Sequence, residues 1–295
     1  MNQLLDYNHS LDAEIEKISG TKCNDKKTIL VLSGGGLKGI AQVGALAALK
    51  TLNKLNNINT IAGTSAGALV AVLFAIGYTP EEIYEFFMHM DFSKAKSINP
   101  TNMFMNYGLD NGVRMTIVIQ KLFDGKNINP HVSFLELYKI TGYNLIITGA
   151  CVNDKTCYYF SHEKFPNMEV LTALRITISI PIIFDPCEYD GKLFVDGGCI
   201  DNYPIQLFKD KLNEVIGIYV NEKRSNDEIK NMEDYLKGLF SCFFEGMAHN
   251  SVKGFEKETI KLNLNATSSL SWEISKDNIR ELYSSGYNIV KEYYG

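Results

Sequence analysis

Three short segments of this 295-residue chain hold the residue types of an acyl-transfer site: Gly34-Gly35-Gly36-Leu37-Lys38-Gly39, Gly63-Thr64-Ser65-Ala66-Gly67 and Asp196-Gly197-Gly198. A serine hydroxyl must lose its proton as it attacks a carbonyl, so it needs both presentation and a base. The G-x-S-x-G spacing supplies presentation: Gly63 and Gly67 permit close helix–strand approach, and the sharp turn projects Ser65. Ser65 also opens an apolar helical pattern, where free N–H groups and the helix dipole favour negative charge. Gly34, Gly35 and Gly36 lack Cβ atoms, so their backbone can turn consecutive N–H groups toward an oxyanion. Asp196 ends the apolar run Leu193-Phe194-Val195 and precedes Gly197 and Gly198. A carboxylate at a strand end beside compliant backbone suits a general base, and the same Asp-Gly pair also suits an ordinary turn.

Each segment has a rival reading. GGGLKG also fits the G-x-G-x-x-G of a dinucleotide site. That site wants an acid near the end of the second strand, about 20 residues past the glycines, and here the second strand ends in Gly63-Thr64-Ser65. No Gly-Lys-Ser/Thr occurs, so Walker A fails. A G-x-S-x-G alone is common in glycine-rich turns; the strand before it and the apolar helix after it supply the context the motif requires. His9, His89, His131, His162 and His249 fall in terminal segments, a surface helix or element ends, and none stands in a triad context. The six cysteines have no zinc spacing and are expected to be reduced and packed. Cys199 follows the Asp-Gly-Gly closely, with packing its expected role. No metal or cofactor is expected, and Lys38 and Gly39 are read as supports of the glycine run.

The elements that must position these groups follow from hydrophobic periodicity. Thr28 to Ser33 and Ile58 to Thr64 read as buried strands, and Leu37 to Leu55 and Ala66 to Ile76 as helices. This β-α-β-α order predicts an α/β fold: one mostly parallel central sheet with helices on both faces. Thr79-Pro80-Glu81-Glu82 starts a further helix. Residues 91–111 read as irregular, with Met103, Phe104, Met105 and Tyr107 as exposed lid or interfacial candidates. A helix follows to Phe123, and another spans Ser133 to Ile140. A hairpin joins Asn144–Val152 to Thr156–Ser161, and a helix spans Met168 to Ser179. Asp190-Gly191 turns between two short strands, the second delivering Asp196. A strand at Val215 to Val220, a long helix from Asp227 to Ser251, a strand near Thr259 to Leu264 and a helix from Asp277 to Tyr294 complete the chain. Residues 1–27 read as an arm or short docked helix, with Leu11, Ile15 and Ile18 at helical spacing, and 28–295 as one domain.

Taken together and in this order, the three boxes resemble the patatin-like phospholipase family. The block Ala173-Leu174-Arg175-Ile176-Thr177-Ile178-Ser179-Ile180-Pro181-Ile182-Ile183-Phe184 is similar to that family's A-x-R-A-S-x-S-x-P-x-x-F, and Asp201-Asn202-Tyr203-Pro204 to the N-x-P that follows its third box. The similarity spans about residues 28–220. Ile176 and Thr177 replace the usual Ala-Ser, and Ile182 stands where glycine is frequent. The resemblance implies a lipid acyl hydrolase of phospholipase A or lysophospholipase type. It gives Ser65 the nucleophile's role, Asp196 the proton acceptor's in a Ser–Asp dyad, and Gly35 and Gly36, with Gly34, the oxyanion hole. Alternatives with the same residues are an acyltransferase, a neutral-lipid lipase, or a membrane-binding or scaffolding protein.

Composition narrows the partners. The chain is 45% hydrophobic with formal charge −5, which argues against broad binding to nucleic acid or to anionic membranes and leaves local patches open. The apolar stretch Ile61 to Tyr78 is nearly long enough to span a bilayer. Gly63–Gly67 within it and Gly77-Tyr78-Thr79-Pro80 at its end make it a buried strand, turn and helix instead. Met1–Lys17 has neither a basic start nor an apolar run, so no signal peptide is expected. The expected setting is intracellular and peripheral on membranes, with non-standard secretion an open route. The expected partners are a phospholipid or other lipid ester and a transient membrane or micelle surface, with an activating protein an open question.

Overall fold

Every regular element grows from a local signal of the kind just read. The computed structural model describes residues 27–295 apart from 96, 98, 223–227, 231–234, 236, 237, 240, 241, 243–250 and 265–273. The expected N-terminal arm and most of the expected helix from Asp227 to Ser251 lie outside the described residues.

Strand β1 (Ile29–Leu32) leads through a 3-10 turn (Gly36–Lys38) into α1 (Gly39–Thr51). Strand β2 (Thr60–Gly63) leads through Ser65 into α2 (Ala66–Ala75). Helix α3 (Pro80–His89) opens with a full capping box: Thr79 Oγ1 accepts from the Glu82 N–H, and the Glu82 carboxylate accepts from the Thr79 N–H.

Segment 91–111 is more ordered than its sequence suggests. It contains a 3-10 turn (Phe92–Ala95), helix α4 (Pro100–Asn106) and strand β3 (Gly108–Asp110). The overlooked signal is Asn99-Pro100, an N-cap whose Oδ1 accepts from Thr101 N–H, followed by proline at the first helical position. Met103 is half-buried, Met105 and Tyr107 are exposed, and the Phe104 side chain is not among those described.

Then come α5 (Val113–Asp124), α6 (Phe134–Thr141), the hairpin β4 (Asn144–Cys151) and β5 (Thr156–Phe160), and α7 (Val170–Thr177). Strands β6 (Ile182–Phe184), β7 (Cys187–Tyr189) and β8 (Lys192–Asp196) follow. A 3-10 run (Pro204–Glu214) that periodicity does not reveal precedes β9 (Val215–Glu222), β10 (Thr259–Leu264) and α8 (Lys276–Tyr294).

Eight strands form one sheet in the order β10-β9-β1-β2-β4-β8-β7, with β5 also on β4. Pairs from β10 through β4 are parallel; those of β4 with β5 and β8, and of β7 with β8, are antiparallel. Alternation splits the core. Leu30 and Leu32 of β1 join the larger cluster with α1, α2 and α8, while Ile29 and Val31 join a smaller one with Tyr203, Ile205 and Phe255. The fold is therefore the mostly parallel α/β sheet that the β-α-β-α pattern predicts.

Helices α1 and α8 meet backbone to backbone. A Cβ on Gly44 would lie 1.9 Å from the Tyr283 carbonyl oxygen, and one on Gly286 1.8 Å from that of Ala41. Gly44→Ala is predicted to lower stability by about 3 kcal/mol through overpacking. Urea denaturation checks this, and an unchanged midpoint would mean that the helices do not touch there.

Candidate active site

Ser65 and Asp196 stand 131 positions apart in sequence, and one strand brings them together. Ile147 of β4 pairs with Gly63 of β2 and with Phe160 of β5, so β2 and β5 flank opposite edges of β4. Gly149 pairs with Tyr158 of β5 and with Asp196 of β8, so β8 occupies the edge that β2 has left. Strand β2 runs parallel to β4 and β8 antiparallel, so their C-terminal ends point at each other. Only Thr148 separates their partners.

Across that junction Ser65 Oγ donates to Asp196 Oδ2 at 2.6 Å, and both residues are buried. Asp196 Oδ1 accepts from the Gly198 N–H at 2.7 Å, and the Asp196 N–H donates to the Ser179 carbonyl at 2.8 Å. Burial pushes the Asp196 carboxyl up to about 7, against the opposing pull of the Ser65 and Gly198 hydrogen bonds. It is a better proton acceptor than an ordinary carboxylate and is still substantially ionised near neutrality. The same burial, with the Asp196 charge nearby, raises the Cys199 thiol to about 12, so it stays protonated and inert.

Ser65 sits at φ 52°, ψ −123°, a region that a non-glycine residue enters only when its surroundings hold it there. Its N–H donates to Thr177 Oγ1 at 2.9 Å, tying the turn to α7. Gly67 lets α2 start against β1: a Cβ there would meet the Ser33 carbonyl oxygen at 2.4 Å. Gly197 makes room for Thr148, whose Oγ1 would lie 2.0 Å from an added Cβ. Thr148 Oγ1 donates to Thr64 Oγ1, and Thr64 Oγ1 to the Asp201 carbonyl, at 2.9 and 3.0 Å.

The glycine box lies against the same point. A Cβ on Gly34 would be 3.4 Å from Ser65 Cβ. Gly34 departs from the oxyanion expectation, because its N–H already donates to the Asn202 carbonyl at 2.9 Å. Among the described residues no backbone carbonyl takes the N–H of Gly35 or Gly36. Gly63 ends β2, Gly39 starts α1 beside Ala66, and Lys38 is buried in the 3-10 turn that joins β1 to α1. The described histidines lie elsewhere: His89 contacts Glu85, His131 contacts Glu169, and His162 stacks on Tyr138.

Ser65 opens into an apolar cleft of about 870 Å³, counting its mouth. Leu69 of α2, Phe86 of α3 and Met90 just after it, Val118 and Ile119 of α5, and Ile178 form much of its wall. This apolar lining suits hydrocarbon, with Ser65 at its edge. The sequence shows neither the cleft nor the Thr177 tether. Thr177 stands within a recognisable block, but nothing local reveals which N–H its hydroxyl accepts from.

Two outcomes are expected. Thr177→Val leaves a buried N–H unpaired and lowers stability by about 1–3 kcal/mol, while Thr177→Ser stays within about 1 kcal/mol of wild type; equal losses in urea titrations of both variants would refute the tether. Asp196 binds a proton more tightly folded than unfolded, so its contribution to stability is fully present below about pH 4 and is lost as pH rises through about 7. Asp196→Asn is therefore expected to gain stability over wild type as pH rises through this window. A constant difference would mean that the carboxyl is not perturbed.

The family model described as Patatin-like phospholipase matches residues 30–209. The uncharacterized protein R571 of Acanthamoeba polyphaga mimivirus is 32% identical over 222 residues, covering 71% of this chain and 73% of its own. The probable lipid hydrolase 463L of Invertebrate iridescent virus 6 is 33% identical over 184 residues, 60% of this chain and 62% of its own. Among solved structures, VipD from Legionella pneumophila shares the fold with a TM-score of 0.59 at 17% identity, over 90% of this chain and 66% of that one.

Proposed function

This chain belongs to the patatin-like phospholipase family, and from that premise we propose that it hydrolyses carboxylic esters of glycerophospholipids as a phospholipase A or lysophospholipase. The observation that carries the reading is the 2.6 Å hydrogen bond from Ser65 Oγ to Asp196 Oδ2 at the end of an apolar cleft. A similar virus protein named as a probable lipid hydrolase supports the same substrate class.

In the proposed reaction the acyl chain lies in the cleft and its ester carbonyl sits over Ser65. Ser65 Oγ attacks the carbonyl carbon as Asp196 takes its proton. The negative charge that forms on the carbonyl oxygen is held by the N–H groups of Gly35 and Gly36, which are oriented before the reaction begins. Collapse expels the alcohol, which recovers the proton from Asp196. Water then attacks acyl-Ser65 with the same carboxylate as base and releases the fatty acid. Gly34 supports this hole through its bond to Asn202 rather than by donating to the substrate. Among the described residues no helix is long and apolar enough to cross a membrane.

The test is fatty-acid release from mixed phospholipid and lysophospholipid micelles. Ser65→Ala and Asp196→Asn, shown to be folded, are each expected to lose about a thousandfold or more in kcat/KM. Because Asp196 must be ionised to act as base, log kcat/KM should rise with pH and level off above about 7. Retained activity in folded Asp196→Asn would remove the carboxylate from the mechanism. The released products name the bond cut, and a parallel assay on triacylglycerol emulsions separates a phospholipid from a neutral-lipid substrate.

A further inference from the structure

We propose that the α4–α5 segment is the face on which this chain docks to an anionic phospholipid bilayer, through the outer side of the helix that walls the cleft. The inference rests on the lipid-ester reading above and extends it to the surface that delivers the substrate. Helix α5 is apolar on two sides. One side, with Met115, Val118, Ile119 and Leu122, walls the cleft beside Ser65. The other leaves Val113 52% and Ile117 45% exposed, one turn apart. Just upstream, Met105 is 74% exposed and Tyr107 68%. Singly scattered exposed apolar side chains are ordinary on a protein surface, but four large ones in one short stretch next to an apolar cleft mark an interaction face.

Tyr107 adds an independent signal. It ends α4 in the left-handed region, at φ 68° and ψ 11°, where glycine or asparagine sits with less strain. Its exposed ring has little packing to offset that strain. A tyrosine gains from an environment that is apolar beneath and polar above, as at the headgroup level of a bilayer.

Charge chooses among occupants. Arg114, Ile117 and Lys121 share one stripe of α5 at i, i+3 and i+7, so two exposed cations bracket an exposed isoleucine. Asp124, exposed at the end of α5, offsets one of these charges and leaves the helix surface net positive, while Asp110, between the two helices, is buried and accepts from the N–H groups of Ser97 and Gly112. Cations flanking apolar side chains on a helix match anionic headgroups over a hydrocarbon layer. A second copy of this chain fits less well, because a two-fold contact through this stripe sets the same cations against each other.

The experiment compares the full chain with a variant carrying Tyr107→Ser, Val113→Ser and Ile117→Ser, none of which lines the cleft. Co-sedimentation uses vesicles of equimolar phosphatidylcholine and phosphatidylserine, and vesicles of phosphatidylcholine alone. Wild type is expected to prefer the anionic vesicles by roughly tenfold, and the variant to lose roughly a hundredfold in partitioning. Its hydrolysis of p-nitrophenyl butyrate, a water-soluble ester, is expected to stay at the wild-type level. A second variant, Arg114→Glu with Lys121→Glu, is expected to abolish the preference for phosphatidylserine. Vesicle binding by the serine variant equal to wild type overturns the proposal, as does a wild type that ignores vesicles while hydrolysing the soluble ester. A gel-filtration shift from dimer to monomer in the serine variant assigns the face to a second copy and overturns it too. If wild type binds vesicles through these residues yet leaves the soluble ester intact, the docking face stands and the hydrolase reading falls.

Discussion

The arrangement of this molecule depends on the sharing of one edge of β4 by two strands of opposite direction. Strand β2 pairs with the first half of that edge and β8 with the second, so two strand ends that belong to distant parts of the chain abut. A hydroxyl on one end then meets a carboxylate on the other at 2.6 Å. Had β8 run parallel to β4, Asp196 would lie at the far end of the strand. The antiparallel direction of β8 on an edge it shares with the parallel β2 is thus what joins the two groups, and Gly197, with no side chain to strike Thr148, lets the ends close.

That junction is held against its own local preferences. Ser65 occupies a left-handed backbone region, and Asp196 is a carboxylate removed from water. Each state is held by neighbours: Thr177 on the Ser65 N–H, Ser179 on the Asp196 N–H, and Gly198 on the Asp196 side chain. Strain and desolvation concentrated at one point, inside a well-packed surround, is the pattern of a site shaped for chemistry rather than for stability.

Legibility followed the range of the interactions involved. The Thr79-Pro80-Glu82 start of α3 was readable because a cap involves residues three apart. The Asn99-Pro100 start of α4 used the same chemistry and was hidden by the irregular polar sequence around it. The β4–β5 hairpin was readable from alternation around Asn153-Asp154, whereas the 3-10 run from Pro204 to Glu214 has no period to detect. The glycine box lies beside Ser65, but the carbonyl that takes the Gly34 N–H comes from Asn202, a residue that reaches it only when the sheet is assembled.

From sequence alone came Ser65, Asp196 and the glycine box as candidate site residues, the strand-turn-helix around Ser65 and the mostly parallel α/β class. These depend on side-chain chemistry and on spacings of a few residues. Tertiary structure alone decided that Ser65 and Asp196 touch, that the carboxyl is raised to about 7, and that α5 walls a cleft with one side and faces water with the other. Those outcomes depend on which strand edge is occupied, how much water is excluded and which helix lies across which strand. Such quantities belong to contacts between distant segments, and no local stretch of sequence encodes them.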